Sequence, residues 1–426
     1  MSWRVSLRHL TCDALHDIAG LKTGDINAGT NTPMTNSMDR GAARRAAPPI
    51  LQNAFRPFFL GAAVLAALSV PLWVAEFSGL FGGAKMLGRD AHIHEMLYGF
   101  LPAIVCGFAL TAIPNWTGGA PVAGRALGGL FLLWVIGRGF IFWPDNLIAL
   151  ALDLGFLLVL AGVAAREILN GKNWRNLPIV AMLSLLAATH FMFHNAAWAS
   201  IAPRATLAVA TTLIALIGGR IIPSFTRNWL ASSKGAAQAG VMPSAWPQLD
   251  VLALAVLAIS LVAWVIAPEN TIAGTGLIIA SLAHLGRLAR WRGLETFSEP
   301  LVWSLHAGYV WLVIGTGMVG ASILWPQAIS VSAGLHALAA GMIGTMSLAV
   351  MTRVCLGHTG RARRAGPVTT SIYILIQLGA ILRVGSAFFA NDPVMLGLSA
   401  VLWAGAFALF VLVYAPILFA PRADKV

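Results

Sequence analysis

An all-α, polytopic transmembrane helical bundle of about 12 spans is the fold this sequence predicts, and three observations predict it. Hydrophobic side chains make up 58% of the 426 residues and charged ones only 10%, whereas a soluble globular chain carries about 25% charged residues. Apolar runs of the roughly 20 residues that a bilayer demands of a helix recur along the chain. Lys and Arg alternate between dense and sparse loops, as the positive-inside bias requires. An ordinary soluble enzyme, a disulfide scaffold and a disordered chain are all excluded.

Residues 1–52 hold no apolar run, and the stretch MTNSMDRGAARRAAPP is polar or Ala/Pro-rich, so a disordered cytoplasmic tail is expected there. It contains no signal-peptide h-region, which argues against cleavage, and Met34 and Met38 stand close to the first apolar run as alternative starts. Deleting residues 2–37 is expected to leave membrane insertion intact, since no intramembrane histidine is removed; loss of assembled protein from detergent extracts would refute this.

Twelve spans follow, at about 58–77, 92–114, 126–143, 147–165, 177–198, 205–224, 249–267, 271–289, 300–320, 329–352, 369–389 and 395–417. They form a single domain over 53–418, ending in a short cytoplasmic tail at 419–426. Only Pro144, Asp145 and Asn146 separate the third and fourth spans, so these make a tight helical hairpin. Trp116, Trp143, Trp198, Trp229, Trp291 and Trp325 fall near span ends, where amphipathic rings prefer to sit. The longest internal loop, about 225–248, joins two six-helix halves. No clear internal repeat is present; His94-x4-Gly99 and His336-x4-Gly341 both open helices entering from outside, but the match is short.

With the amino terminus inside, most of the 28 Lys and Arg residues lie in the tail or in cytoplasmic loops. Lys85, Arg89 and Arg204 fall outside, and Arg138, Arg220 and Arg383 lie within spans. Both termini are therefore expected in the cytoplasm. The same bias accounts for the net charge of +12 without a nucleic-acid partner. Cys12, Cys106 and Cys355 are far apart, with no CxxC, CxxCH or zinc spacing, so neither covalent haem nor a disulfide framework is indicated.

Ionisable groups inside a membrane are costly and mark function by default. Of the ten histidines, only His9 and His16 lie in the tail. The others are His92, His94, His190, His194, His284, His306, His336 and His358, in or beside spans, and neutral imidazole is the commonest metal ligand. In LPIVAMLSLLAATHFMFHNAAW, His190 and His194 are four apart and share one helix face. That suits two ligands to one ion, or an axial haem ligand beside another ligand. HIHEMLYGF opens the second span, where His92 and His94 point to opposite sides if both are helical. Glu95 can fix a histidine tautomer, carry a proton, or sit exposed at the interface. Tyr98 shares a face with His94 and can donate a hydrogen bond into a site. By depth, His92, His94, His190, His194 and His336 form an outer group, and His284 and His306 an inner pair. Arg138, Arg220 and Arg383 suit anionic groups such as haem propionates; alternatively they pair with Asp153 or snorkel to headgroups.

Other motifs carry less. Gly315-Thr-Gly317-Met-Val-Gly320 matches GxGxxG, but in an apolar span with no preceding strand, so helix packing through small residues is expected. Walker A, HExxH and GxSxG sequences are all missing from the chain.

Taken together, NAFRPFFLGA, HIHEMLYGF, ALTAIPNWTG, HFMFHNAAW and GGRIIPSFTRNWL resemble the NnrS family, bacterial inner-membrane proteins containing haem and copper and linked to the nitric oxide response. The resemblance runs from about Asn53 to about Leu418 and is strongest before Leu230. It implies non-covalent b-type haem, copper, nitric oxide as ligand and relief of nitrosative stress, with His92, His94, His190, His194, His306 and His336 as candidate ligands. The residues alone are compatible with this but less specific, since buried imidazoles suit haem and copper alike. Two alternatives remain open at this level: a quinol-linked membrane enzyme acting on nitric oxide, and a metal-free transporter coupled to protons through its histidines.

Overall fold

The computed structural model describes residues 44–80, 88–143, 146–234 and 247–425, together with 41 and 243. Most of the N-terminal tail, with His9, His16, Cys12, Met34 and Met38, lies outside the described residues. Among the described residues, 12 helices are long and apolar enough to cross a membrane. They are α1 (Phe55–Phe77), α2 (Gly88–Thr117), α3 (Gly124–Phe142), α4 (Leu147–Asn170), α5 (Trp174–Phe193) and α6 (Ala202–Ser233) in the first half. The second half holds α7 (Gln248–Ile266), α8 (Thr271–Ala289), α9 (Pro300–Leu324), α10 (Val331–His358), α11 (Pro367–Ser386) and α12 (Pro393–Phe419). The chain is a multi-pass, all-α membrane protein.

Local chemistry explains where these helices start. Asn146 caps α4, its side chain accepting from the Ile148 and Ala149 amides, and Asn270 caps α8 in the same way. Asp392 does so for α12 through Met395 N–H. Each satisfies donors that the first helical turn leaves without partners. Proline occupies the first turn of α9, α11 and α12, where its missing N–H costs nothing.

Two helices sit at the centre. In α2, 78% of the most apolar window is buried and in α10 72%, against at most 56% in any other span. They touch one another, while α1, α4 and α6 pack on α2, and α9, α11 and α12 pack on α10. The peripheral helices turn Leu68, Ile259, Ile272 and Leu412 outward, the surface that a lipid solvent accepts. Closure of the bundle runs through α1 and α12. Arg56, fully buried, donates to the Leu418 carbonyl at 2.5 Å and the Ala420 carbonyl at 2.8 Å, capping the last turn of α12 with a positive charge.

Both central helices widen to π-helical turns, at Glu95–Phe100 in α2 and Ala337–Gly344 in α10. Each begins one residue after a histidine, His94 or His336. The short match between HxxxxG segments thus coincides with a shared backbone feature, and π-turns frequently accompany functional sites. In α2, Trp134 Nε1–H donates to the Gly99 carbonyl within the widened turn, at 3.0 Å.

Two expectations need adjusting. The segment 225–248 is not all loop, because α6 continues through Ser233. The remainder of that segment lies mostly outside the described residues, as do Pro144 and Asp145 of the α3–α4 hairpin. Trp291 is not an interfacial ring: it is 1% exposed, edge-on to Tyr309 at 4.7 Å and beneath the Arg287 guanidinium at 5.5 Å. A neighbouring arginine and tyrosine give the indole better partners than headgroups do. The GxGxxG segment packs as expected. A side chain at Gly315 would meet Leu338 N at 2.9 Å, and one at Gly320 would meet the Gly274 carbonyl at 2.7 Å.

Candidate metal centre

Three helices bring four ligand-type side chains together. His94 comes from α2, Asp153 from the second turn of α4, and His190 and His194 from the end of α5. One ligand atom from each lies within 4.8 Å of all the others, with three of the residues buried and His194 nearly so. Asp153 Oδ2 is the focus: His94 Nε2 stands 2.8 Å from it, His190 Nε2 2.9 Å and His194 Nε2 3.3 Å. The i,i+4 spacing on α5 therefore does what the sequence suggested, placing two imidazoles one turn apart on one face.

The surroundings hold this geometry. His94 Nδ1 lies 3.0 Å from Glu95 Oε1. Arg138, at the end of α3, donates to Glu95 Oε1 at 2.9 Å and to Asp153 Oδ1 at 2.7 Å, clamping the two carboxylates. Close approach makes this clamp possible: a Cβ at Gly99 would lie 2.6 Å from Arg138 Nη1. Tyr98 stacks on the His190 ring at 4.4 Å and 8°. Its hydroxyl bonds to the Thr189 carbonyl at 3.1 Å and Thr206 Oγ1 at 2.8 Å, so it orients the ring and directs no hydrogen bond into the cluster. Phe140 and Phe193 wall off His194.

Donor counting shows that the cluster lacks one positive charge, which a second proton on His94 or a bound cation can supply. Both ring nitrogens of His94 face carboxylate oxygens, so a neutral ring, which has one N–H, leaves one nitrogen lone pair aimed at an oxygen. His190 Nε2 and His94 Nε2 are only 3.3 Å apart, and His194 Nε2 is buried without a hydrogen bond. With Glu95 and Asp153 ionised, Arg138 offsets one charge and leaves one negative charge in a low-dielectric bundle. A cation among the three Nε2 atoms relieves both problems: His94 Nδ1–H then donates to Glu95, the carboxylate–histidine arrangement of many metal sites.

His92 and His336 are not part of this cluster. The helix already runs from Gly88, so His92 points away from His94. Together with Trp73, Arg89, Ser332 and Arg383 they line a separate cavity of about 440 Å³. His336 Nδ1 lies 2.8 Å from the Ser332 carbonyl, which only accepts; Nδ1 therefore carries the proton and Nε2 keeps its lone pair. His92 stacks on Trp73 at 4.3 Å, and its Nδ1 is buried without a partner. Arg383 reaches Ser386 Oγ and Ser332 Oγ, at 3.2 and 3.3 Å.

The inner histidines have protein partners. His284 Nδ1 lies 2.6 Å from the Tyr309 hydroxyl, which Arg287 also contacts while donating to Asp250. His306 Nε2 lies 2.8 Å from Thr226 Oγ1. Their remaining nitrogens, His284 Nε2 and His306 Nδ1, are buried without hydrogen bonds. Among the described residues they join no cluster of three or more metal-ligating groups. Arg220 is exposed on α6.

Asp153 is the residue that the histidine pattern underplays. It enters the sequence reading only as an arginine partner, although a lone carboxylate within LIALALDLGFLLVL is itself a signal of function. The family comparison agrees with the motif reading. The chain matches the family model for NnrS protein over residues 49–422, nearly its whole length. No curated protein matches it. The chain belongs to the NnrS family.

Proposed function

We propose that this NnrS-family protein is a haem- and copper-binding protein of the bacterial inner membrane that acts in the nitric oxide response, with both termini in the cytoplasm. One observation carries the reading: three imidazole nitrogens and a carboxylate converge in the bundle, with two ring nitrogens of the cluster, His194 Nε2 and His190 Nδ1, buried without a hydrogen bond. Imidazole-rich sites suit copper, which heads the divalent affinity order. His94, His190 and His194 would hold it, with Asp153 as a further ligand or as the anion that positions all three. Glu95 keeps the His94 Nδ1 proton in place and Arg138 holds both carboxylates.

The larger cavity suits haem on its own evidence. His336 offers Nε2 with its tautomer set by Ser332, His92 supplies an orphaned nitrogen, and Arg383 supplies a cation for a propionate, among apolar walls. When bound, haem and copper each supply a centre at which nitric oxide can coordinate. The purified protein is expected to show a Soret band that shifts on adding nitric oxide, with copper retained through dialysis. A folded, colourless and copper-free protein would overturn the reading.

Orientation has its own check. Reporter fusions at 171–173 and 235–242, next to basic segments, are expected to read as cytoplasmic. Periplasmic signals at both positions would defeat the amino-terminus-inside arrangement.

A further inference from the structure

A further polar site lies at the opposite end of the bundle, where α6, α9 and α10 end or begin. A cavity of about 290 Å³ there is lined by Arg353, His358 and Arg363 together with Phe108, Phe225 and Leu305. Arg353 belongs to the last turns of α10, inside the span, and its guanidinium lies 3.8 Å from the Phe225 ring centroid. Among the described residues no carboxylate lines the cavity. Glu299, whose charge reaches Arg353, instead caps α9 by accepting from Leu301 N–H at 3.2 Å. Arg353, half-buried within the span, and the exposed Arg363 thus face one space with no carboxylate among its walls, so an anion that enters meets two positive charges.

The shape of the space says which kind of anion. At Phe108, Ile221 and Val350 the cavity meets an apolar cleft that climbs between α2, α5, α6 and α10 as far as Leu101, Ala210 and Ile343. Its walls are almost wholly Leu, Ile, Val, Ala and Phe. A free inorganic anion would leave that cleft unused, whereas a headgroup on an acyl chain fills both parts. The basic end is also the end that the Lys/Arg distribution assigns to the cytoplasm, where membranes present anionic lipid to basic pockets between helices.

We propose that this is a binding site for one anionic phospholipid, its phosphate on Arg353 and Arg363 and an acyl chain in the cleft between α2, α5, α6 and α10. The site is separate from both proposed metal sites and does not depend on them. Native mass spectrometry of the full chain, released from micelles doped with dioleoyl phosphatidylglycerol or dioleoyl phosphatidylcholine, tests it. The wild type is expected to retain one phosphatidylglycerol, bound at least tenfold more tightly than phosphatidylcholine. Arg353→Gln should remove that preference, Arg353→Lys should keep most of it, and Ile217→Trp, which fills the cleft, should weaken binding while leaving Arg353 in place. Leu282→Trp, on the outward face of α8, serves as the control. Equal retention of the two lipids by the wild type would overturn the proposal. So would an Arg353→Gln protein that is monodisperse and still selective, or a retained mass matching a quinone in place of a phospholipid.

Discussion

Asp153→Ala is expected to abolish retention of copper and to destabilise the bundle by about 1–3 kcal/mol, the usual cost of leaving buried donors without their acceptor. The carboxylate lies within 3.3 Å of three imidazoles and accepts from Arg138 at 2.7 Å. Its removal leaves Arg138 with Glu95 alone and releases His94, His190 and His194 from their common focus. Asp153→Asn separates the two effects. The amide keeps the volume and one acceptor oxygen for Arg138, so the thermal midpoint should fall less, while the lost negative charge should still weaken copper retention at least tenfold. Elemental analysis of dialysed protein, alongside a thermal unfolding curve, reads both. Full copper stoichiometry in a folded Asp153→Ala protein would remove the carboxylate from the site altogether.

Much of this architecture is legible in the residues because a bilayer imposes so few solutions. Every backbone group must be bonded within its own helix, so apolar length alone locates spans such as 147–165, which the structure extends to Asn170. The α5 pair was readable for the same reason, since helical spacing fixes which side chains share a face. Assembly across helices was not. Depth groups His92 and His336 with His94, His190 and His194, yet depth says nothing of rotation about each helix axis. Two residues along a helix turn the side chain by about 200°, which carries His92 to the Trp73 side and His94 to the Asp153 side. The clamp by Arg138 was equally hidden, because it requires Gly99 on α2 to lie against the end of α3. The arginine of NAFRPFF was part of a recognisable motif, but its role as a cap on α12, 362 residues away, emerges only from the fold.

His190→Ala and His194→Ala are expected to lose copper and keep the Soret band, while His336→Ala loses the Soret band and keeps copper. The reason lies in how the two sites share α2. His94 and His92 leave the helix on opposite sides, and metal–nitrogen bonds are about 2 Å long, so one centre cannot take ligands from both without unwinding the turn between them. The outer histidines therefore divide into two independent sets, one built on α4 and α5 and the other on α1, α10 and α11. His284→Ala should leave both signals in place, because its Nδ1 is already held by Tyr309 and no further ligand converges on it. Optical spectra and copper content of the four variants, each checked for a monodisperse profile, decide the matter. If His190→Ala and His336→Ala each removed both signals from folded protein, a single shared centre would be required, and the division at α2 would be wrong. If instead His284→Ala alone removed the Soret band, haem would sit in the inner half against α8 and α9, and the His336 cavity would have to serve another ligand.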